Sequence, residues 1–204
     1  MILIVDYGAG NLRSVVRGLE AVQGDPLLSA DPGNFQDAEG VVFPGQGSFD
    51  TAMTRLRELD LEAPLKRYLS EGRPFLGICL GLQLLFDTSE EAPSARGVGA
   101  FAGPNRRFKP GKKVPHLGWN SVEWKKESPF FEGIPSGSFF YFVHSYYPVP
   151  ENKEIVAGVS DYEEEFCCAV SKGNQAAVQF HPEKSQKAGL KLLSNFVKIC
   201  KDNH

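Results

Sequence analysis

The sequence predicts an α/β protein: a single domain with a central, mostly parallel or mixed sheet and helices on both faces. Three observations lead there. Short apolar runs alternate with helical patterns through the first half of the chain, the signature of a parallel sheet covered on both sides. Strand-like pieces follow one another closely after Val114. No composition shift, repeat or linker divides the 204 residues, a length that favours one large domain over two small ones.

The elements follow in order. Ile2 to Val5 reads as a buried strand, and Asp6 to Asn11 (DYGAGN) as a turn ending in an Asn N-cap. Leu12, Val15, Val16, Leu19 and Val22 mark one face of a helix. Val41 to Phe43 is a second buried strand, followed by the turn PGQG and a helix marked by Phe49, Met53 and Leu56. Leu61 to Glu71 supplies another helix, Phe75 to Ile78 another strand, and LQLLF a further helical run. The later pieces SVEW, FFYFV, IVAGV, CCAV and AAVQF suggest an antiparallel or mixed extension of the same sheet. Leu190, Leu193, Phe196, Val197 and Cys200 mark a closing amphipathic helix.

Composition narrows the function. Lys plus Arg number 22 against 25 Asp plus Glu, a formal charge of −3. With no basic cluster, nucleic acid is not the expected partner. The nearly apolar run Phe75 to Phe86 is too short to span a bilayer, and Met1 to Val5 meets Asp6 at once, which makes no signal peptide. The expected setting is the cytoplasm, away from membranes. Cys79, Cys167, Cys168 and Cys200 show no disulfide or zinc spacing. Cys167 and Cys168 point to opposite faces of a strand and, with Cys200, read as small core hydrophobes.

Cys79 differs. Gly77-Ile78-Cys79-Leu80-Gly81 lies between a strand and a helix, the setting of a nucleophile elbow with Cys in place of Ser. Chance in this composition produces G-x-C-x-G roughly 0.04 times. The turn lifts the sulfur above the sheet edge, near the Leu80 N–H and a helix N-terminus that favours thiolate. A nucleophilic Cys needs a base, and the base an orienting group. Of His116, His144, His181 and His204, His181 follows the strand AAVQF, and in HPEKS Glu183 stands two residues on, across a Pro182 kink in an extended segment, where its carboxylate can reach the imidazole. The glycine turn Pro44-Gly45-Gln46-Gly47 at the same sheet edge offers a second oxyanion donor. It is not a phosphate loop, for no G-x-x-x-x-G-K-[ST] is present, and DYGAGN is not a G-x-G-x-x-G fingerprint.

GICLGLQLLF, QFHPEKS and PGQGSF together resemble the class I (triad) glutamine amidotransferases. DYGAGNLRSV, HLGWN and YFVHSYY narrow the resemblance to the glutaminase subunits of imidazole glycerol phosphate synthase, over essentially the whole chain (1–204) as one glutamine amidotransferase type 1 domain. Family members often carry Val at Gln46 and Met at Leu82 and Leu117; Gln46 matters most, because it lies in the oxyanion turn. The resemblance implies Cys79 as nucleophile, His181 as base and Glu183 as its partner. It implies Gly45, Gly47 and Leu80 around the oxyanion, and Gln83, Glu91, Ser145 and Tyr146 around the substrate L-glutamine. It further implies a heterodimer with a cyclase subunit, a (β/α)₈ barrel that makes imidazole glycerol phosphate and AICAR in histidine biosynthesis from the delivered ammonia. Asn11, Trp119, Tyr141 and Lys184 would face that partner, with no metal or organic cofactor. Two rivals stand beside this reading. One is a glutaminase subunit for another synthase, of the anthranilate or pyridoxal phosphate pathway, against which HLGWN and YFVHSYY speak. The other is a non-enzymatic Cys79 redox sensor, which would need no oriented base.

Overall fold

The computed structural model describes residues 1–8, 10–109, 113–162 and 164–203. His204 and the alanine of DYGAGN lie outside them. The chain runs through β1 (Ile2–Val5), α1 (Leu12–Ala21), β2 (Pro26–Ser29), α2 (Asn34–Asp37), β3 (Gly40–Gly45), α3 (Phe49–Glu58) and α4 (Glu62–Ser70). It continues with β4 (Phe75–Cys79), α5 (Leu80–Gln83), β5 (Phe86–Ser89), β6 (Phe101–Arg107), β7 (His116–Trp124) and β8 (Ser138–His144). The last elements are β9 (Tyr146–Pro148), β10 (Val156–Asp161), β11 (Glu165–Lys172), β12 (Gln175–Val178) and α6 (Gln186–Asp202).

A nine-stranded sheet in the order β2-β1-β3-β4-β12-β11-β10-β7-β8 carries the fold. β2, β1, β3, β4 and β12 are parallel, and from β12 outward every pairing is antiparallel. The mixed sheet is as the sequence predicts. Alternation along each strand sends residues to two cores. Ile2, Ile4, Leu76 and Ile78 pack with Leu19 of α1 and Leu193 and Phe196 of α6. Leu3, Val5, Val41 and Phe43 pack with Met53 of α3 and Leu65 of α4 on the other face. Cys168 belongs to the first core and Cys167 to the second, so the adjacent pair does straddle the sheet. Burial raises both thiols well above the ordinary range, which leaves them inert packing groups.

Three expectations change. β2 escapes sequence reading because it is a four-residue edge strand with Leu27 and Leu28 exposed, so it lacks a buried strand's pattern. The run LQLLF is not a helix throughout: α5 is a single turn. The N–H groups of Val98 and Phe101 bond the Leu84 and Leu85 carbonyls at 2.7 and 3.1 Å, and the chain turns into β5. That strand belongs to a second, three-stranded sheet, β5-β6-β9, beside the end of β4. Asn11 holds the N-cap position of α1, but its side chain makes no capping bond; its carbonyl instead accepts from Ser14 N–H at 3.1 Å.

Candidate active site

The end of β4 builds the centre. Cys79 takes φ +56° and ψ −110°, a backbone strained for a residue with a Cβ. The neighbouring glycines make room for it. A methyl group on Gly77 would lie 2.8 Å from the Ala177 Cβ, and one on Gly81 would overlap the Phe43 carbonyl oxygen. β3, β4 and β12 can therefore close tightly around the turn. The bend sends the chain into α5 and leaves the Cys79 sulfur in a cavity of about 450 Å³.

β12 leads to the base. His181 stays extended at φ −101°, and a 3₁₀ turn over Pro182–Lys184 carries the carboxylate back. The tight turn replaces the extended kinked segment expected from the sequence. His181 Nδ1 lies 2.8 Å from Glu183 Oε1, both side chains almost fully buried. A carboxylate only accepts, so Nδ1 carries the hydrogen. Nε2, with no nitrogen or oxygen partner among the described residues, is left for the cavity that Cys79 and His181 both line. Burial alone would lower the imidazole pKa, but Cys79 and Glu183 outweigh it and raise the group well above its ordinary value. The backbone of β8 locks this segment. His181 N–H donates to the Tyr141 carbonyl at 2.9 Å, while Ser185 Oγ accepts from Tyr141 N–H at 3.0 Å and donates to the His181 carbonyl at 2.6 Å.

Gly47 and Leu80 line the same cavity, and Gly47 takes φ +101° with open space where a side chain would project. Gly45, expected beside the oxyanion, is instead outside the cavity lining: it sits on β3, paired in register with Cys79 and packed between Tyr7 and Leu80. Gln83, Glu91, Ser145 and Tyr146 complete the lining. A larger cavity of about 870 Å³ lies at the far side, around Trp124 and Phe131, remote from these groups.

The model of the family described as glutamine amidotransferase class-I matches residues 3–200. The chain belongs to the class I glutamine amidotransferases. Its relatives include an imidazole glycerol phosphate synthase subunit HisH of Aquifex aeolicus, 50% identical over 95% of this chain and 94% of that protein. The HisH subunit of Moorella thermoacetica is 46% identical over 98% of this chain and 95% of its own. Among solved structures, the PurLQS structure from Thermotoga maritima superposes with a TM-score of 0.77 at 18% identity, covering 97% of this chain and 96% of that one. A crystal structure of a glutamine amidotransferase superposes with a TM-score of 0.74 at 19% identity, covering 98% of both chains. Both support the fold.

In this amidotransferase two of the four residues expected to hold substrate have side chains bonded to the scaffold. Gln83, 5% exposed, donates through Nε2 to the Tyr146 carbonyl at 2.9 Å and to Gln179 Oε1 at 3.2 Å. Its buried place differs from the ordinary polar helix position its composition suggests. Glu91 is no free surface acid: its Oε2 accepts from Phe49 N–H at 2.8 Å, satisfying the first amide of α3. Of the residues assigned to a partner, three meet. The Trp119 and Tyr141 rings lie 6.2 Å apart at 73°, and Lys184 Nζ stands 5.8 Å from the Tyr141 ring centre. Asn11 borders a separate small void with Gly10, Gly45, Gln46 and Glu183.

Sequence reasoning missed Gln179, which donates from Nε2 towards the Cys79 sulfur at 3.8 Å while its Oε1 holds Gln83. A polar residue closing the apolar strand AAV was the available signal. It also missed His116 and His144, whose adjacency depends on β7 pairing β8. Among the described residues no group of three His, Cys, Asp or Glu side chains is arranged to hold a metal ion, and no helix is long and apolar enough to cross a membrane.

Proposed function

We propose that this chain, acting over 1–204 as one domain, is the glutaminase half of an imidazole glycerol phosphate synthase. Cys79 attacks the side-chain carbonyl of L-glutamine, and the developing oxyanion is met by the Leu80 N–H and a donor of the Gly45–Gly47 turn. His181, protonated on Nε2, gives that proton to the departing nitrogen, so ammonia leaves and a γ-glutamyl thioester remains. His181 then takes a proton from water as the water attacks the thioester carbon; the C–S bond breaks, glutamate is released, and the Cys79 thiolate and protonated His181 are regenerated. Glu183 holds the imidazole in the tautomer this requires and stabilises its cation. The observation that carries the reading is the buried His181–Glu183 pair at 2.8 Å beside an elbow cysteine; a redox sensor would need no such base.

Glutamine fits the remaining wall. Glu91 keeps one carboxylate oxygen for an α-ammonium group, and Ser145 and Tyr146 border the α-amino-acid end. The ammonia passes to a cyclase subunit, a (β/α)₈ barrel, seated over the β7–β8 ribbon. That ribbon turns Leu117 (60% exposed), Trp119 (46%) and Phe139 (60%) outward, an apolar row suited to a protein partner. Tyr141 and Lys184 continue it to the cavity mouth. The test is glutamate release from glutamine by the chain alone and with the cyclase subunit carrying its nucleotide ligand. Low release alone and strong stimulation by the loaded partner support the reading; no release in either condition overturns it.

A further inference from the structure

Outside the triad, the two other described histidines are buried at 3% and 5% exposure, opposite each other across β7 and β8. His116 Nδ1 lies 3.1 Å from His144 Nε2. His144 Nδ1 lies 2.9 Å from the Tyr146 carbonyl, and the amide nitrogen of Asn120 lies 3.3 Å from His116 Nε2. We propose that Asn120, His116 and His144 form a neutral hydrogen-bond relay that positions the Ser145–Tyr146 wall of the glutamine pocket. This rests on the glutaminase reading above.

Both ends of the chain fix its direction. The Asn120 amide nitrogen also faces the Asp161 carbonyl at 2.7 Å, while its oxygen accepts from Ser121 N–H at 2.8 Å, so Asn120 presents a donor to His116. At the other end the Tyr146 carbonyl can only accept. Each neutral imidazole has one N–H and one lone pair. One assignment satisfies every link: both rings carry hydrogen on Nδ1 and leave Nε2 bare. A proton on either ring would set N–H against N–H. The surroundings keep the rings uncharged, because His116 stacks between Phe142 and Tyr162 at 4.9 and 4.2 Å and His144 faces Phe108 and Phe166. Burial holds their pKa values down to about 4 and about 3, respectively.

The relay converges on one atom. The Tyr146 carbonyl accepts from His144 on one side and from Gln83 Nε2 on the other. With Gln179 Oε1 taking another bond from Gln83 Nε2, the Gln83 amide has one orientation and only its oxygen left for a ligand. His144 itself lines the cavity, so a change in its tilt moves the wall against which glutamine rests. His116 and His144 are positioning residues in this scheme. Asn120 follows Trp119 on the ribbon proposed to meet the cyclase, so the same relay joins the docking surface to the pocket.

Side-chain ¹H–¹⁵N correlation spectra of the wild-type protein give a readout independent of catalysis. Both rings should appear as Nδ1–H tautomers that do not titrate between pH 5 and 8; an Nε2–H form, or titration near neutral pH, in either overturns the relay. In the cyclase complex, His144→Leu should raise KM for glutamine about tenfold, the effect of one lost buried hydrogen bond, with a smaller change in kcat. His144→Asn, which keeps a donor near the Nδ1 position, should restore most of the loss. Unchanged KM in a folded His144→Leu, or no rescue by Asn, would contradict the relay while leaving the glutaminase reading intact. A wild-type complex that does not hydrolyse glutamine would overturn that reading and leave the tautomers as the test of the hydrogen-bond chain.

Discussion

Cys79, His181 and Glu183 divide the chemistry among a strained turn, a buried base and a buried carboxylate, and each predicts a different loss. Cys79→Ala should abolish glutamate release without unfolding the chain, since no large cavity is left. His181→Ala should cost about 10²–10⁴-fold in turnover, the usual contribution of a general acid–base group. Glu183→Gln should cost less and leave a second mark. Glu183 is one of the groups that raise the His181 pKa; without its charge the imidazolium gives up its proton at lower pH. The alkaline limb of kcat/KM should move to lower pH in a pH–rate profile, and an unmoved limb would contradict the pairing. Tyr7 offers a stability test. Its hydroxyl is fully buried against Gly45 with no partner among the described residues, and burial raises its pKa far above the ordinary range. Removing an unsatisfied buried polar group should be neutral or stabilising by up to about 1 kcal/mol. Chemical denaturation of Tyr7→Phe checks this, and a clear loss of stability would show the hydroxyl to be bonded.

The elbow and the oxyanion turn use glycine differently, and substitution should separate them. Gly81→Ala meets the backbone oxygen of Phe43, so β3 or α5 must shift; a loss of about 2–4 kcal/mol is expected in thermal or urea unfolding. Gly47 has open space around it but φ +101°. Gly47→Ala should cost only about 1–2 kcal/mol of backbone strain while disturbing the turn that serves the oxyanion, so activity should fall more than stability. How much of this was legible follows the range of each signal. The elbow and the His181–Glu183 pair are local in sequence, so their spacing shows through, although a 3₁₀ turn and not an extended kink brings the carboxylate back. Buried strands announce themselves by apolar runs. β2 does not, because its leucines face solvent, and β5 begins only at the last residue of LQLLF, whose helical pattern loses to the carbonyl bonds taken by Val98 and Phe101. The roles of Gln179, His116 and His144 depend on contacts across strands, which spacing along one segment cannot show.

At the scale of the molecule, the parallel half of the sheet supplies the elbow and the antiparallel half supplies the outer ribbon, with the cavity where they meet. Tyr141 shows the connection: its backbone bonds both His181 and Ser185, while its ring meets Trp119 and Lys184. Trp119→Ala and Lys184→Ala should therefore weaken stimulation by the loaded cyclase subunit and leave Cys79 reactive to a small electrophile. Stimulation equal to wild type in both would remove this ribbon from the coupling. The reaction itself requires Cys79 to form the covalent bond to glutamine. Incubation of the wild-type complex with a glutamine-mimicking electrophile, followed by peptide mass mapping, tests it directly. The modification should fall on Cys79 alone, be suppressed by glutamine and accompany complete loss of glutamate release. Modification of Cys167, Cys168 or Cys200 with Cys79 intact, and activity lost all the same, would contradict it.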